Sequence, residues 1–283
     1  MTESATTVAL LHPGSMGAAF GAQLRTRGIT VLWCPDGRSA ATRQRADDAG
    51  LEPAPFSCLL DRADIVLSLC PPAAAEELAA RVAAYGFAER TYVEANAVSP
   101  DRVERIAALL PDATVVDAAV IGSPPVGGKT PTLYLSGDPS RTGAVERLFA
   151  GTDVRTRTLG VEAGAASALK LAYSSYQKAS RVLAAFSYAA AQAHGVGEEL
   201  LAIAAKRMGS YLTEIDYIPK TAARAWRWGP ELTDAAALFR DAGLPDEMML
   251  AASAALDGWG AARDADLTVE EALALLRRLP PEG

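Results

Sequence analysis

Two groups of residues in this sequence have types and spacings suited to chemistry, and the first is a turn near the amino terminus. The run His12-Pro13-Gly14-Ser15-Met16-Gly17 follows the short apolar segment Val8–Leu11. In a dinucleotide-binding turn, the second small residue lets the backbone approach the pyrophosphate and the third lets the following helix pack closely on the sheet. Gly14 and Gly17 supply these two positions, and His12 occupies the first. The turn therefore predicts a dinucleotide site at a helix N-terminus, with an ordinary strand–turn–helix as the alternative.

The segment after the second predicted strand indicates which dinucleotide is bound. An acidic residue there usually holds the ribose 2′-hydroxyl of NAD, whereas an arginine accommodates the 2′-phosphate of NADP. Asp36 precedes a glycine and is readily explained as a turn residue. Arg38 and Ser39, with Thr42 and Arg43 one helical turn later, gather two cations and two hydroxyls. This favours NADP(H), unless Ser39 only caps a helix and the arginines are solvated.

The second group is a polar stripe on a long predicted helix. Lys170, Ser174, Gln177, Lys178 and Arg181 fall on or beside one face of the segment 163–193, which is otherwise rich in Ala, Leu and Tyr. A lysine beside a nicotinamide could donate a proton to the oxygen that forms as hydride reaches a carbonyl, if its pKa is tuned. Surface lysines whose stems cover apolar side chains are an equally good explanation.

Several other classes of protein are excluded by composition and motif. The net charge of −7 and pI near 5.0 argue against a nucleic-acid partner. With two histidines, a histidine-rich metal site is not expected. The loop 123–130 resembles an ATP-binding P-loop, but it begins with serine, contains two prolines and precedes a strand-like run. We expect no targeting segment and no membrane span, and hence a cytoplasmic protein.

The order of the elements predicts the fold. Strand-like and helix-like segments alternate in the first half, which is typical of a doubly wound parallel sheet. After about residue 160 the pattern becomes helical, with segments at 163–193, 198–211, 219–228, 231–242, 247–262 and 268–278. We therefore predict an α/β Rossmann-type doubly wound parallel sheet in residues 1–159, followed by an all-α domain in residues 160–283.

At these residues nearly the whole chain resembles the β-hydroxyacid dehydrogenase and 6-phosphogluconate dehydrogenase superfamily. The Gly14–Gly17 turn, Arg38-Ser39, and the runs Ser68–Pro72 and Asn96–Pro100 match its cofactor loops. The run Asp117–Ser123 resembles its substrate-binding segment, with Gly122 in place, Ile121 where the family has serine and Ser123 where it has glycine. The pattern 170–178, the run 222–228 and Gly243-Leu244-Pro245 look like the phosphogluconate dehydrogenase-like branch, which has an uncharacterised C-terminal helical domain.

The resemblance implies a role for each matching residue. Lys170 aligns with the catalytic lysine. The implied substrate-binding residues are Asn96, Gly122, Ser123, Tyr173, Ser174 and Lys178. The implied cofactor-binding residues are His12, Pro13, Gly14, Ser15, Met16, Gly17, Arg38, Ser39, Arg43, Cys70, Pro71, Pro72 and Asn96. No metal is implied, and two subunits are expected to pack through their helical domains, with Trp226 and Trp228 either at that interface, capping the cleft or in the core.

We therefore predict an NADP(H)-dependent oxidoreductase that acts on a small 3-hydroxy acid or related carbonyl, with Lys170 as general acid and base. The substrate is expected to be a small anion whose carboxylate pairs with Lys178 or Arg181. An imine reductase acting on C=N bonds is one alternative. A non-catalytic NADPH-binding sensor or partner protein is the other, because the first glycine and the substrate serine are replaced.

Overall fold

The computed structural model describes residues 6–193, 195–206, 209, 211–241 and 245–277. The chain forms two compact units, Met1–Lys170 and Leu171–Gly283. The division predicted between residues 159 and 160 stays a prediction. Gly243 and Leu244 of the predicted Gly243-Leu244-Pro245 stop lie outside the described residues.

The first unit is built on one eight-stranded sheet with the order β3-β2-β1-β4-β5-β6-β7-β8. All neighbouring strands are parallel except β6 and β7. The strands are β1 Thr7–Leu10, β2 Thr30–Trp33, β3 Glu52–Pro53, β4 Ile65–Ser68, β5 Thr91–Glu94, β6 Thr114–Ile121, β7 Thr132–Ser136 and β8 Arg155–Gly160. The chain order reverses beside β1, which is where open α/β sheets bind ligands outside the carboxyl ends of their strands.

Helices cover both faces of this sheet. They are α1 Ser15–Thr26, α2 Ala40–Asp48, α3 Phe56–Arg62, α4 Ala75–Ala84, α5 Pro100–Leu109 and α6 Pro139–Phe149. One core contains Phe20 of α1 and Phe149 of α6, and the other contains Leu59, Leu78 and Ile106 of α3, α4 and α5. Strands buried on both faces are continuous apolar runs, which is why the sequence identifies them. The predicted doubly wound α/β class is confirmed.

The sequence did not predict β3 and α3. The strand β3 has two residues and the helix α3 has seven, both close to Pro53 and Pro55. Their apolar periodicity is too short to separate them from a loop. They form because Leu59 and Leu60, both fully buried, fill the space beneath β1 and β2.

The second unit contains helices and no strand among its described residues. The helix α7, Ala165–Ala193, begins in the first unit and continues into the second, followed by α8 Gly197–Ala205, α9 Ile218–Asp241, α10 Glu247–Leu256 and α11 Val269–Leu276. Short 3-10 helices occupy Tyr211–Thr213, Ile215–Tyr217 and Asp257–Ala262. Its core contains Trp228 and the fully buried Trp259, whose indole N–H donates to the carbonyl of Ala272 at 2.7 Å. No helix in the described part of the chain is long and apolar enough to cross a membrane.

The prediction that Gly229-Pro230 separates two helices is wrong, because α9 runs through both residues. Proline has no amide hydrogen, so one helical hydrogen bond is lost there. Leu232 and Trp228, on either side of the proline, are both buried in the same core. The carbonyl of Gly229 accepts hydrogen bonds from the hydroxyls of Thr233 and Ser253, at 3.2 and 3.0 Å. Packing therefore outweighs the local preference of proline for a helix end.

Candidate functional site

The glycine turn after β1 leaves the start of α1 open to an anion. A Cβ on Gly17 would lie 2.3 Å from the carbonyl oxygen of His12, so only glycine lets the helix pack against the turn. Gly14 is the N-cap of α1, it makes no side-chain capping bond, and the first turn carries no acidic residue. Amide donors and the positive end of the helix dipole are therefore directed at the space outside β1. This arrangement fits a dinucleotide diphosphate.

His12, at the first position of the turn, packs against arginines rather than pointing into solvent. The Nη1 of Arg38 lies 3.1 Å from His12 Nδ1, and its Nη2 donates to the carbonyl of Leu11 at 3.1 Å. Burial, reinforced by Arg38 and by Arg45, lowers the pKa of His12 to about 4. The imidazole is therefore neutral at physiological pH. Arg45 also donates to the carbonyl of Pro13 at 3.4 Å and to Thr42 Oγ1 at 3.0 Å.

The predicted 2′-phosphate residues lie together after β2. Ser39 caps α2 by accepting a hydrogen bond from the amide of Thr42 at 3.3 Å, which is the capping role named as the alternative for this residue. Arg43 is exposed, and its Nε donates to the carbonyl of Arg38 at 3.3 Å. The Nε of Arg38 is buried without an acceptor among the described residues. A buried donor of this kind is costly unless a ligand satisfies it, so the donor set fits a phosphate.

An open cleft adjoins these residues. Its lining residues are Leu11, Cys34, Asp36, Arg38, Phe56, Leu59, Leu78 and Arg81. Leu11, Phe56 and Leu59 give it apolar walls, and the guanidinium of Arg81 lies 4.5 Å from the centre of the Phe56 ring. A cleft lined by both apolar and charged side chains beside β1 and β2 has the chemistry to hold the adenosine half of a dinucleotide.

Asn96, which follows β5, braces the loop that follows β4. Its Oδ1 accepts from the amide of Cys70 at 2.6 Å, and its Nδ2 donates to Ser68 Oγ at 2.9 Å and to Glu94 Oε1 at 2.5 Å. The side chain is buried and its donors are engaged. It therefore fixes the Cys70-Pro71-Pro72 loop at the carboxyl end of β4. Direct contact of Asn96 with cofactor or substrate stays a prediction.

Glu94 is a fully buried carboxyl group beneath this loop. Its Oε1 accepts from the amide of Asn96 at 3.1 Å, while its Oε2 has no partner among the described residues. Burial, opposed by hydrogen bonds to Asn96 and Ser68 and assisted by the charge of Asp117, raises the pKa of Glu94 to about 7. Burial also raises the pKa of the neighbouring Cys70 thiol to about 12, so that thiol is not a nucleophile at neutral pH.

Asp117 on β6 holds the first turn of α7. Its Oδ2 accepts from the amides of Ala166 and Ser167 at 2.9 and 3.1 Å and from Ser136 Oγ at 2.9 Å. Its Oδ1 accepts from Ser167 Oγ at 2.6 Å. A carboxylate at a helix N-terminus is favoured by both the free amides and the dipole. This contact fixes the helix that carries Lys170 to the end of the sheet.

Lys170 lies one turn further along α7. Its Nζ donates to the carbonyl of Val120, near the carboxyl end of β6, at 2.9 Å, and the residue is half-buried. Gly122 follows β6 with φ of +125°, and a Cβ there would lie 2.9 Å from the Cα of Pro131. Ser123 is exposed. The amine, the glycine and the serine therefore share the end of one strand.

The remaining predicted substrate residues belong to the helical unit. Ser174 and Lys178 are buried, and Tyr173 is 45% exposed. Lys178 forms an ion pair with Glu231, and its Nζ lies 5.6 Å from the centre of the Trp228 ring. Trp228 is thus a core residue, one of the roles considered for it.

Two other side chains of this unit that the sequence singles out are also in contact with charged partners. Arg181 pairs with Glu214 at 2.8 Å and lies against the rings of Tyr217 and Tyr211. Trp226 is 39% exposed beneath the guanidinium of Arg263.

The loops that carry the predicted cofactor residues meet at one edge of the sheet. The turn after β1, the arginine segment after β2 and the loops after β4, β5 and β6 all follow the carboxyl ends of mutually parallel strands. The sequence missed Arg45, Arg81 and the roles of Glu94 and Asp117. For the last two a signal existed, since each is an acidic residue inside an otherwise apolar strand. Arg45 and Arg81 lie on helix faces where a solvated arginine is the ordinary expectation.

Comparison with known proteins supports this architecture. A family model described as a domain of unknown function, DUF1932, matches residues 191–259. An uncharacterised 28.5 kDa protein of Methanothermus fervidus is 26% identical over 189 residues, which are 66% of this chain and 72% of that protein.

Two solved structures have the same fold at low identity. Mycobacterium tuberculosis 3-hydroxyisobutyrate dehydrogenase with L-serine has a TM-score of 0.72 and 18% identity, covering 97% of this chain and 100% of its own. A reductive aminase from Aspergillus terreus in complex with NADPH and ethyl-5-oxohexanoate has a TM-score of 0.58 and 21% identity, with the same coverage. These likenesses confirm the expected Rossmann-type fold, and the helical half contains the DUF1932 match.

Proposed function

We propose, from the Rossmann-type fold that this chain shares with 3-hydroxyacid dehydrogenases, that it is an NADP(H)-dependent oxidoreductase acting on a small 3-hydroxy acid or the corresponding carbonyl compound. One observation carries the proposal. The amine of Lys170, held 2.9 Å from the carbonyl of Val120, lies at the same sheet edge as the open glycine turn and the cleft lined by Leu11 and Arg38. A proton donor and a dinucleotide site at one edge are the parts that carbonyl reduction needs.

The bound nicotinamide would supply or accept the hydride. The glycine turn and α1 would hold the diphosphate, and Arg38 with Ser39 and Arg43 would hold the 2′-phosphate. Lys170 would give its proton to the carbonyl oxygen during reduction and take it back during oxidation. Val120 fixes the direction of one N–H of this amine, and Asp117 fixes the helix that carries it. Pro13, Ser15 and Met16 complete the turn around the diphosphate.

For the substrate we propose that Gly122 and Ser123 receive the carboxylate, since they follow β6 beside Lys170. Tyr173, Ser174 and Lys178 remain proposed substrate residues from the resemblance. Because Lys178 is paired with Glu231, it would attract an anion less strongly than an uncompensated cation. Most of the recognition of a small anion would then fall to Gly122 and Ser123.

The test is a binding and transfer assay. Fluorescence titration should give tighter binding of NADPH than of NADH. Incubation with NADPH deuterated at C4 should transfer deuterium to C3 of the hydroxy acid formed from a 3-oxo acid, the carbonyl partner of a 3-hydroxy acid. Tight NADPH binding with no transfer to any member of a panel of 3-oxo acids, aldehydes and cyclic imines would contradict the enzymatic proposal and favour the non-catalytic sensor.

Imine reduction is the second candidate function, and the ion pairs of the helical unit support it. An iminium substrate is cationic, so an uncompensated lysine face would be an objection to this candidate. Lys178 is paired with Glu231 and Arg181 with Glu214, so that objection is weakened. Deuterium transfer to cyclic imines but not to 3-oxo acids would select this candidate.

We further propose a homodimer formed through the helical unit. Tyr173 and Tyr176 on α7 are 45% and 70% exposed, and large exposed aromatic side chains are common at protein interfaces. Light scattering should give twice the mass of the chain. A monomer at micromolar concentration would contradict this proposal.

A further inference from the structure

The residue that most distinguishes the cofactor turn of this chain is His12, which stands where a dinucleotide turn has its first glycine. Its Nδ1 lies 3.1 Å from Nη1 of Arg38. A guanidinium has no acceptor, so Nδ1 must accept this hydrogen bond. A neutral imidazole whose Nδ1 accepts carries its hydrogen on Nε2. Arg38 therefore fixes the tautomer of His12.

The other edge of the same ring lies over Gly14. A Cβ built on Gly14 would be 3.1 Å from His12 Cδ2 and 3.2 Å from His12 Nε2. Gly14 is the position at which the backbone of such a turn approaches the pyrophosphate. The Nε2–H of His12 is thus held at the side of the turn where the diphosphate would lie, next to the amides of α1.

We propose that His12 is a phosphate-binding residue, which donates its Nε2–H to the cofactor diphosphate and is held in the required tautomer by Arg38. The inference rests on the proposed cofactor binding. In this role the imidazole offers a hydrogen-bond donor that a glycine at this position lacks. Arg38 then has a second role besides binding the 2′-phosphate. The low pKa of His12, near 4, keeps the ring a neutral donor across the physiological range.

Binding of two cofactor fragments separates this role from a merely structural one. ADP-ribose contains the diphosphate without a 2′-phosphate, and adenosine 2′-monophosphate contains the 2′-phosphate without a diphosphate. His12→Leu should weaken ADP-ribose by about tenfold or more, the worth of one hydrogen bond to a charged group. It should change adenosine 2′-monophosphate affinity less than twofold. His12→Gln, whose amide can both accept from Arg38 and donate, should recover most of the ADP-ribose affinity, which controls for misfolding.

A direct measurement of the tautomer completes the test. The sequence contains two histidines, so His194→Gln leaves His12 as the sole imidazole for long-range proton–nitrogen NMR. The spectrum should show a hydrogen on Nε2 at neutral pH, and a mixture of tautomers after Arg38→Ala. A hydrogen on Nδ1, or equal ADP-ribose affinity in wild type and His12→Leu, would overturn this inference alone. Absence of all nucleotide binding in the wild type would overturn the proposed function with it.

Discussion

Asp117→Ala should destabilise the protein strongly, because it removes the acceptor for the start of α7. Four hydrogen bonds end on this carboxylate, two from the helix amides of Ala166 and Ser167 and two from the hydroxyls of Ser136 and Ser167. All of these groups are buried. The amide of Ala166 keeps a second acceptor, Ser136 Oγ at 3.2 Å, so three donors lose their acceptor. Leaving a buried donor without an acceptor costs about 1–3 kcal/mol each, so the loss should be at least about 3 kcal/mol.

Asp117→Asn is the matched, milder change. Its amide oxygen can keep the bonds to Ala166 and to the amide of Ser167, and the hydroxyl of Ser167 can turn to accept from the new NH₂ group. The loss should then be the charge-assisted part and the helix-dipole contribution, about 1–2 kcal/mol. Ser136→Ala, which removes one of the four donors together with its bond, should cost about 1 kcal/mol.

Urea unfolding followed by far-ultraviolet circular dichroism measures all three variants. We expect Asp117→Asn to keep wild-type cofactor affinity but to slow hydride transfer, because the helix that carries Lys170 is less firmly held. An Asp117→Ala protein within about 1 kcal/mol of wild type would contradict this expectation, since three buried donors lose their acceptor.

Three further changes test other parts of the account. Burial raises the pKa of Glu94 to about 7 from 4.5, so its contribution to stability is present below pH 4.5 and is lost as the pH rises through 7. Glu94→Gln should therefore lack a decline of roughly 3 kcal/mol in the free energy of unfolding between pH 4.5 and 8. Parallel curves of unfolding free energy against pH for the two proteins would contradict this expectation. Gly17→Ala places a Cβ 2.3 Å from the carbonyl oxygen of His12, so it should lower both the stability and the NADPH affinity measured by fluorescence, the affinity by roughly a hundredfold. Gly14→Ala places its Cβ against the imidazole and the space of the diphosphate, so it should lower NADPH affinity with a smaller loss of stability; equal losses of stability would argue against the close helix packing at Gly17. Glu231→Gln breaks a buried ion pair in which the side chain of Lys178 is 9% exposed and that of Glu231 is 13% exposed. It should destabilise the helical unit by about 3 kcal/mol in chemical denaturation, and an unchanged denaturation midpoint would contradict this.

The parts of the fold that the sequence predicts well are those governed by local rules. Buried parallel strands are apolar runs, and the glycine turn has a fixed spacing, so the sheet and its cofactor edge follow from the sequence. The short β3 and α3 do not, because two and seven residues carry too little periodicity. Helix α9 continues through Pro230 because the buried side chains before and after it share one core.

The site is harder to predict because its contacts join distant residues. Arg38 meets His12 across 26 positions of the chain, and Asp117 meets α7 across 49 and 50. Sequence spacing cannot show that a solvated-looking arginine folds back on a turn. It also cannot show that Lys178 is matched by Glu231, since the two lie on different helices of one unit.

The central claim is that the amine of Lys170 transfers a proton while hydride moves. The most direct measurement is single-turnover oxidation of bound NADPH by Lys170→Met, with the substrate that the deuterium assay identifies and with Lys206→Met, at an exposed surface position, as control. Lys170→Met should bind NADPH within about twofold of wild type. Its hydride transfer should fall by about a thousandfold, while that of the control stays unchanged. Hydride transfer by Lys170→Met at the wild-type rate would show that this amine is not the proton donor.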